Sequence, residues 1–293
     1  MNLNPDNEQL AAAAFSLQST VFDELYGSNS IIRYKRERVR KHVLQWIGKN
    51  SEILELNSGT GEDAIWFAQQ GHRVHATDIA VGMQEQLVKK AAAAGLDDLV
   101  STEIISYTAL QHLKEKKQYD LVFSNFAGLN CTAELDTVLQ ALVPIVKPGG
   151  IVTLVILPRF CLWETLLLFK GKFRTAFRRF FSNKGRQARV EGEYFTCWYY
   201  DPAFVKKHMK EDFDLVAQEG LCSIVPPSYI GHFAEKHPGL FSFSIHPSAS
   251  NLPAFVRSRN PTGPSRRLSG RFGKALRSPP EIHSVLHEAP LPF

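Results

Sequence analysis

A short loop, Asn57-Ser58-Gly59-Thr60-Gly61, follows the apolar run 52–56 and leads into Glu62-Asp63-Ala64. Read as Gly59-x-Gly61-x-x-Ala64, with Asp78 closing the next apolar run, it satisfies the fingerprint of a loop that wraps a nucleotide. The glycines allow a tight turn and close backbone approach, and the acid can hold ribose hydroxyls. On that pattern alone the ligand is a dinucleotide such as NAD.

The charges around the loop point elsewhere. A pyrophosphate docks on a helix N-terminus because bare N–H groups and the positive dipole end attract anions. Here the helix opens on Glu62 and Asp63, and Glu55 adds a carboxylate at the end of the preceding run. Such a pocket suits a cationic cofactor without phosphate. S-adenosylmethionine meets that description, because its sulfonium, ammonium and ribose diol need acceptors and only its carboxylate needs donors. The plainer reading, that Glu62 and Asp63 merely favour the helix start, leaves both cofactors open.

The elements that must position this loop are legible as a βα alternation. Strands are predicted at 52–56, 73–77, 100–105, 119–125 and 151–157, and helices at 62–70, 82–94, 109–117 and 133–146. Short connections between Val/Ile/Leu-rich strands imply a doubly wound α/β fold, a mostly parallel sheet with helices on both faces. Residues 8–47 read as helix in two pieces divided near 27–30, and 195–200, a Pro202 helix and 213–218 read as a further strand-helix-strand unit. The expected organisation is an N-terminal helical flap at 1–48, a cofactor-binding domain at 49–243 with a helical insertion at 158–197, and a tail at 244–293.

The segments ILELNSGTGEDA, HRVHATDIA, YDLVFSNFAGLN and VKPGGIVTLVIL, in this order and spacing, resemble the core of class I S-adenosylmethionine-dependent methyltransferases, and AFSLQSTVFD resembles that family's N-terminal flap. The resemblance covers roughly residues 15–230. It implies a Rossmann-like methyltransferase fold with S-adenosylmethionine as cofactor. By it Glu55 lies near the methionine amino group, Gly59 and Gly61 admit the cofactor, and Asp78 holds the ribose hydroxyls. Ile79 packs on the adenine, Ser106 and Tyr107 border it, and Asn125 sits by the methionine moiety. The family's first loop glycine is Asn57 here. Asn enters left-handed conformations readily, so the loop is expected to survive with an added amide in the pocket.

Methyl transfer is an in-line displacement on an already activated sulfonium carbon, so alignment and a proton route suffice and no fixed triad is required. Glu191, Glu193, Tyr194, Tyr199, Tyr229 and His232 could face an acceptor, although each also reads as an ordinary core or surface residue. The expected acceptor is a small molecule, lipophilic or aromatic. A binding protein without activity is the alternative, and an NAD-dependent oxidoreductase the weaker one.

The stretch 160–186 sets Trp163, Leu166, Phe173 and Phe177 beside Lys170, Lys172, Arg174 and Arg178. Three readings compete: a lid over an apolar pocket, a membrane-surface helix, or an RNA-contacting patch. The lid is favoured, because an insertion after the fifth strand lies beside the cofactor pocket, and Gly171 interrupts a long interfacial helix.

The net charge of +5 sits wholly in the tail from 247 onward, which has seven Lys/Arg against two Asp/Glu and eight of the sixteen prolines. The body is neutral, so a nucleic-acid partner is not expected. Four widely separated cysteines and one close histidine pair, His72 and His75, give no metal spacing. No run is long enough to span a membrane, the N-terminus lacks a secretory pattern, and a cytoplasmic location is expected. Class I methyltransferases end on a seventh, antiparallel strand between the fifth and sixth. Nothing after Leu240 reads as one: AFVRS is brief and flanked by Pro253 and Pro261. The tail from about 244 is therefore expected to be foreign to this fold, as an altered reading frame would make it, and disordered, with an empty slot beside the fifth strand.

Overall fold

Alternation within five short apolar runs sets the layers. In the computed structural model, which describes residues 5–171, 173, 177, 179, 184–221 and the backbone of 255–258, these runs are β1 (Glu52–Leu56), β2 (Arg73–Asp78), β3 (Val100–Ile104), β4 (Tyr119–Ser124) and β5 (Val146–Leu154). They pair in parallel in the order β3-β2-β1-β4-β5. Side chains of a strand point to opposite faces in turn. Ile53, Leu121, Phe123 and Ile151 accordingly share one core with Phe67 of α4 (Glu62–Gln69), Leu87 of α5 (Val81–Ala93) and Val39 of α3 (Ser30–Val43). Leu54, Val122 and Val152 share the other with Leu139 of α6 (Leu135–Ala141) and Met209 of α8 (Pro202–Met209). This is the doubly wound α/β architecture that the alternation predicts.

Several elements differ from their predicted form. The N-terminal region is three helices, α1 (Pro5–Gln18), α2 (Phe22–Gly27) and α3, the last capped by Asn29, whose side chain accepts from the Ile31 and Ile32 N–H groups at 3.0 and 3.2 Å. The segment predicted as helix 109–117 is a 3-10 stretch, Tyr107–His112. The helix predicted over 133–146 ends at Ala141 before a 3-10 turn that holds Pro144, and β5 starts at Val146. The apolar residues Val155, Ile156 and Leu157 leave the strand yet stay buried.

Residues 195–200 do not extend the main sheet. β6 (Arg186–Val190) and β7 (Glu193–Cys197) form a separate antiparallel hairpin. Glu191 and Gly192 turn it with φ of 48° and 90°, the double left-handed geometry that suits the twist of two-residue hairpins. β8 (Phe213–Ala217) follows α8 as predicted.

The expectation of an empty seventh-strand slot is overturned. β9 (Phe255–Ser258) lies antiparallel between β5 and β8, with Ile151 opposite Arg257 and Leu215 opposite Val256. The sheet order is β3-β2-β1-β4-β5-β9-β8. The reason is local: Pro253 and Pro261 fall outside the ladder, so each of the four paired residues keeps its N–H donor. The rest of 244–293 lies outside the described residues.

Candidate functional site

The order of the parallel strands reverses around β1, and there the C-terminal ends of β1, β2 and β4 open into a cleft of about 1380 Å³, its mouth included. Helices α1, α2 and α3 supply the remaining walls.

The loop after β1 bends through Asn57 at φ 46°, Gly59 at 56° and Gly61 at 79°. Asn57 thus takes the left-handed conformation expected of it. Its amide is engaged rather than free: Nδ2 donates to the Asn125 carbonyl at 2.8 Å, and Oδ1 accepts from the Ser124 hydroxyl at 2.6 Å. The side chain therefore stitches the β1 loop to the β4 loop. Gly128 makes room for it, since a Cβ there would fall 2.4 Å from Asn57 Cγ. Gly59 faces open space, as a loop that admits a ligand requires. Gly61 does not: a Cβ there would lie 2.0 Å from Leu87 Cδ1, so this glycine serves the packing of α4 on α5.

Asp78 receives the Gly59 N–H on Oδ2 at 2.9 Å and the Ala80 N–H on Oδ1 at 2.8 Å. Burial raises its pKa above the ordinary carboxylate value, and these backbone donors oppose the rise. Ile79, Tyr107 and Asn125 line the cleft. Ser106 does not line it; its hydroxyl bonds the Glu8 carboxylate and accepts the Thr108 N–H at 3.1 Å, which ties α1 to the loop after β3.

The acidic cluster is arranged differently from its sequence reading. Asp63 is buried and held by Arg40 Nε at 2.6 Å, Arg36 Nη1 at 2.7 Å and Asn125 Nδ2 at 3.1 Å. Glu62 meets Lys90 Nζ at 2.5 Å. The two carboxylates expected to repel phosphate are thus neutralised by cations from α3 and α5. Glu55 is the exception. It is 3% exposed, lines the cleft, and its Oε2 has no hydrogen-bond partner among the described residues. Burial first, and then the Asp63 charge, push its pKa well above the ordinary range. Lys35, whose position on α3 nothing in the sequence singled out, also lines the cleft, with a buried Nζ that has no partner among the described residues.

Of the predicted acceptor-facing residues, the described ones, Glu191, Glu193, Tyr194 and Tyr199, do not line the cleft. Glu193 and Tyr194 are both exposed at the start of β7, and Arg189 covers the Tyr194 ring at 5.2 Å. Tyr199 is buried behind Ala127 and Leu157, which do line the cleft. Glu191 accepts from Gln18 Nε2 at 3.0 Å and so holds α1. Tyr229 and His232 lie outside the described residues. What sequence reasoning missed is the cover built by α1 and α2, which contribute Glu8, Ala11, Ala12, Phe15, Phe22 and Tyr26, with Cys197 from the hairpin. Asn7 fastens this cover: Nδ2 donates to the Cys131 carbonyl at 2.8 Å and the Thr196 carbonyl at 3.1 Å, and Oδ1 accepts the Thr196 N–H at 2.6 Å.

The expected helical insertion at 158–197 is described only in part: the short α7 (Leu162–Leu166) and a 3-10 turn, Leu167–Lys170, precede the hairpin, the described side chains of 159–190 do not line the cleft, and 172, 174–176, 178 and 180–183 lie outside the described residues. Leu166, Phe173 and Phe177 are exposed instead.

Comparison with known proteins agrees with this geometry. Residues 53–150 match the family of methyltransferase domains. The tRNA 5-carboxymethoxyuridine methyltransferase of Escherichia coli K12 is 29% identical over 103 residues, which are 35% of this chain and 38% of that protein. The chain thus spans well under half the length of the curated relatives it matches. Among solved structures, the Burkholderia thailandensis 1,6-didemethyltoxoflavin-N1-methyltransferase, with 1,6-didemethyltoxoflavin and S-adenosylhomocysteine bound, superposes with a TM-score of 0.55 at 14% identity over 89% of this chain and 92% of that one. The [4+2]-cyclase SpnF gives 0.57 at 13% over 90% and 99%. At such identities the likeness is one of fold. The matched segment 53–150 runs from β1 to the glycine turn within β5, the stretch that builds the glycine loop, Asp78 and Asn125, so the likeness to methyltransferase domains covers the floor of the cleft.

Proposed function

We propose that this chain binds S-adenosylmethionine in the β1–β2–β4 cleft and transfers its methyl group to a small lipophilic or aromatic acceptor. The observation that carries the reading is Glu55. A buried carboxylate oxygen without a donor is costly, and it becomes favourable when a cationic group arrives to hydrogen-bond it. The ammonium of S-adenosylmethionine is such a group. Asp78, held rigidly by two backbone N–H groups, has lone pairs left for ribose hydroxyls. Lys35 offers the positive charge that the cofactor's carboxylate needs. When bound, the cofactor supplies an electrophilic methyl group on a sulfonium whose departure as a neutral thioether needs no acid. The chain's own task is alignment and exclusion of water.

A dinucleotide fits less well, because Gly61, the second glycine of the fingerprint, faces Leu87 instead of a pyrophosphate, and the cleft retains the Glu55 carboxylate. The acceptor class follows from the cover. Ala11, Ala12, Phe15, Phe22 and Cys197 form an apolar wall with Glu8 and Tyr26 as its polar points, the mix of apolar lining and few polar groups that a small apolar molecule meets in a binding cleft.

The test is a thermal-shift panel with S-adenosylmethionine, S-adenosylhomocysteine and NAD. A ligand at 100 times its dissociation constant stabilises by ~2.7 kcal/mol. Asp78→Ala should weaken S-adenosylhomocysteine by ~1.5–3 kcal/mol, the worth of hydrogen bonds to a charged group. Stabilisation by NAD alone, or wild-type affinity in the Asp78 variant, would overturn the assignment. Release of S-adenosylhomocysteine from S-adenosylmethionine in the presence of aromatic or lipid acceptors then separates an enzyme from a binding protein.

A further inference from the structure

One carboxylate of the cleft is left without a role. Glu55 and Asp78 serve the cofactor's ammonium and ribose, and Glu62 and Asp63 are held by cations from α3 and α5. Glu8 remains. It stands on α1, lines the cleft, and is tied through Oε2 to the hydroxyls of Ser106 and Thr108, the latter at 3.1 Å. Its Oε1 accepts no hydrogen bond among the described residues. We propose that Glu8 reads the exocyclic amine of the cofactor's base and so selects a 6-aminopurine over a 6-oxopurine. The inference rests on the assignment of S-adenosylmethionine to this cleft.

Strand order places the base. S-adenosylmethionine is a linear molecule in which amino acid, sulfonium, ribose and purine follow one another. Glu55 belongs to β1 and Asp78 to β2, so the direction from amino acid to ribose runs from β1 to β2. The next strand of the sheet is β3. A purine that continues the line therefore meets the loop after β3, which is the loop that Ser106 and Thr108 tie to Glu8. Tyr107 of the same loop stands near both acids: burial first, and then Cys131, Glu8 and Asp78, push its pKa well above the ordinary value. Its hydroxyl donates to the Gly128 carbonyl at 3.3 Å.

The walls here suit a flat ring. Glu8, Ala12 and Phe15 follow the spacing of one helical face, and all three line the cleft. Ala12 packs with Ala80 and Met83, and Phe15 and Ile79 lie against the same cluster. Such side chains take the faces of a purine and leave its polar edge for a group such as Glu8. An ionised carboxylate only accepts hydrogen bonds. The 6-amino group of adenine donates to it, whereas the 6-oxo oxygen of hypoxanthine sets one acceptor against another. The two hydroxyls on Oε2 fix the carboxylate before the base arrives, so little ordering is left for binding to impose.

The experiment is calorimetric titration with S-adenosylhomocysteine and its deaminated counterpart, S-inosylhomocysteine, of the full chain and of Glu8→Gln and Glu8→Ala. The ratio of the two Kd values is compared within each protein, because a loosened α1 weakens both ligands alike. The wild type should prefer the adenine form by about ten- to a hundredfold, the range for a hydrogen bond to a charged group set against an unpaired acceptor. Glu8→Ala should bring the ratio to within about threefold, and Glu8→Gln, whose amide can turn its donor to a 6-oxo group, should fall between. Equal wild-type affinities for the two forms would overturn the role of Glu8, as would a ratio that Glu8→Ala leaves unchanged. Either result keeps S-adenosylhomocysteine bound and the cofactor assignment standing. Binding of neither form would overturn that assignment and the role of Glu8 with it.

Discussion

Glu55→Gln tests the electrostatics of the cleft most directly, because it should move stability and ligand affinity in opposite directions. Glu55 is buried at the end of β1, with Oε2 unpaired among the described residues and Asp63 nearby. Its folded pKa lies above its unfolded one, so the native state binds the extra proton between the two values. Stability of the free protein then falls as pH rises from the ordinary carboxylate range towards the folded pKa. The amide removes that slope and raises the neutral-pH melting temperature; relief of ~1 kcal/mol, the low end for an unsatisfied buried group, would appear as ~2–4 °C in a domain of this size. Binding moves the other way. A cationic ligand selects the ionised carboxylate, so wild-type affinity for S-adenosylhomocysteine, which keeps the ammonium, increases with pH over the same window. Loss of that charge-assisted bond costs ~1.5–3 kcal/mol, or roughly 10- to 150-fold in Kd. Calorimetric titration of both proteins at several pH values, beside melting curves without ligand, reads all four quantities. Equal affinities with parallel pH profiles would refute the placement of a cation against Glu55.

Gly61→Ala should destabilise by ~1–3 kcal/mol, because the new methyl meets Leu87 Cδ1 at 2.0 Å at a φ of 79° that disfavours a side chain; Leu87→Ala in the same chain should relieve the steric part, and denaturant melts of both singles and the double measure the coupling. Asn7→Ala removes the three bonds to the Cys131 and Thr196 backbone and should loosen α1 by ~1–3 kcal/mol, seen as faster proteolysis within 5–18 while the sheet melts cooperatively. Burial pushes the Glu219 pKa up to about 7 despite its ion pair with Arg38, so its contribution to stability is lost as pH rises from the ordinary carboxylate range to about 7. Glu219→Gln should flatten that part of the stability–pH curve, and an unchanged curve would remove Glu219 from it.

What the sequence made legible was the part governed by local rules. Period-two runs of Val, Ile and Leu located β1 to β4, and the spacing of glycine loop and acid located the floor of the cleft, because both are set by residues near one another in the chain. The cover was illegible for the opposite reason. Asn7 reaches Thr196 across the whole domain, and Ala11 and Ala12 signal nothing until α1 is laid over the cleft. Charges misled in the same way: Glu62 and Asp63 look like an exposed acidic helix start, yet their partners Arg36, Arg40 and Lys90 come from other helices. The hairpin had a usable sign, the Glu191-Gly192 pair between alternating segments, which the aromatic run at 195–200 obscured. β9 failed a rule applied too broadly, since prolines exclude a strand only where they occupy its ladder.

The pairing of Asp63 also explains how one loop can look acidic and still select its ligand sharply. Four carboxylates on the floor of this cleft, Glu55, Glu62, Asp63 and Asp78, line it beside Glu8 of α1. If all were free, mutual repulsion would raise their pKa values together and no single position would be decisive. Arg36 and Arg40 on α3 neutralise Asp63, and Lys90 on α5 neutralises Glu62, whereas Glu55 and Asp78 form no ion pair among the described residues. Helix α3 therefore helps set the charge of the cleft, although among its described residues only Ile32, Lys35 and Arg36 line it. The acceptor side follows a different logic, since this fold is shared at a TM-score of 0.55 by an N1-methyltransferase and of 0.57 by a [4+2]-cyclase. A fold that such proteins hold in common cannot decide the chemistry. In this chain α1, α2 and the β6–β7 hairpin close over the cleft, and they share few local sequence rules with its floor.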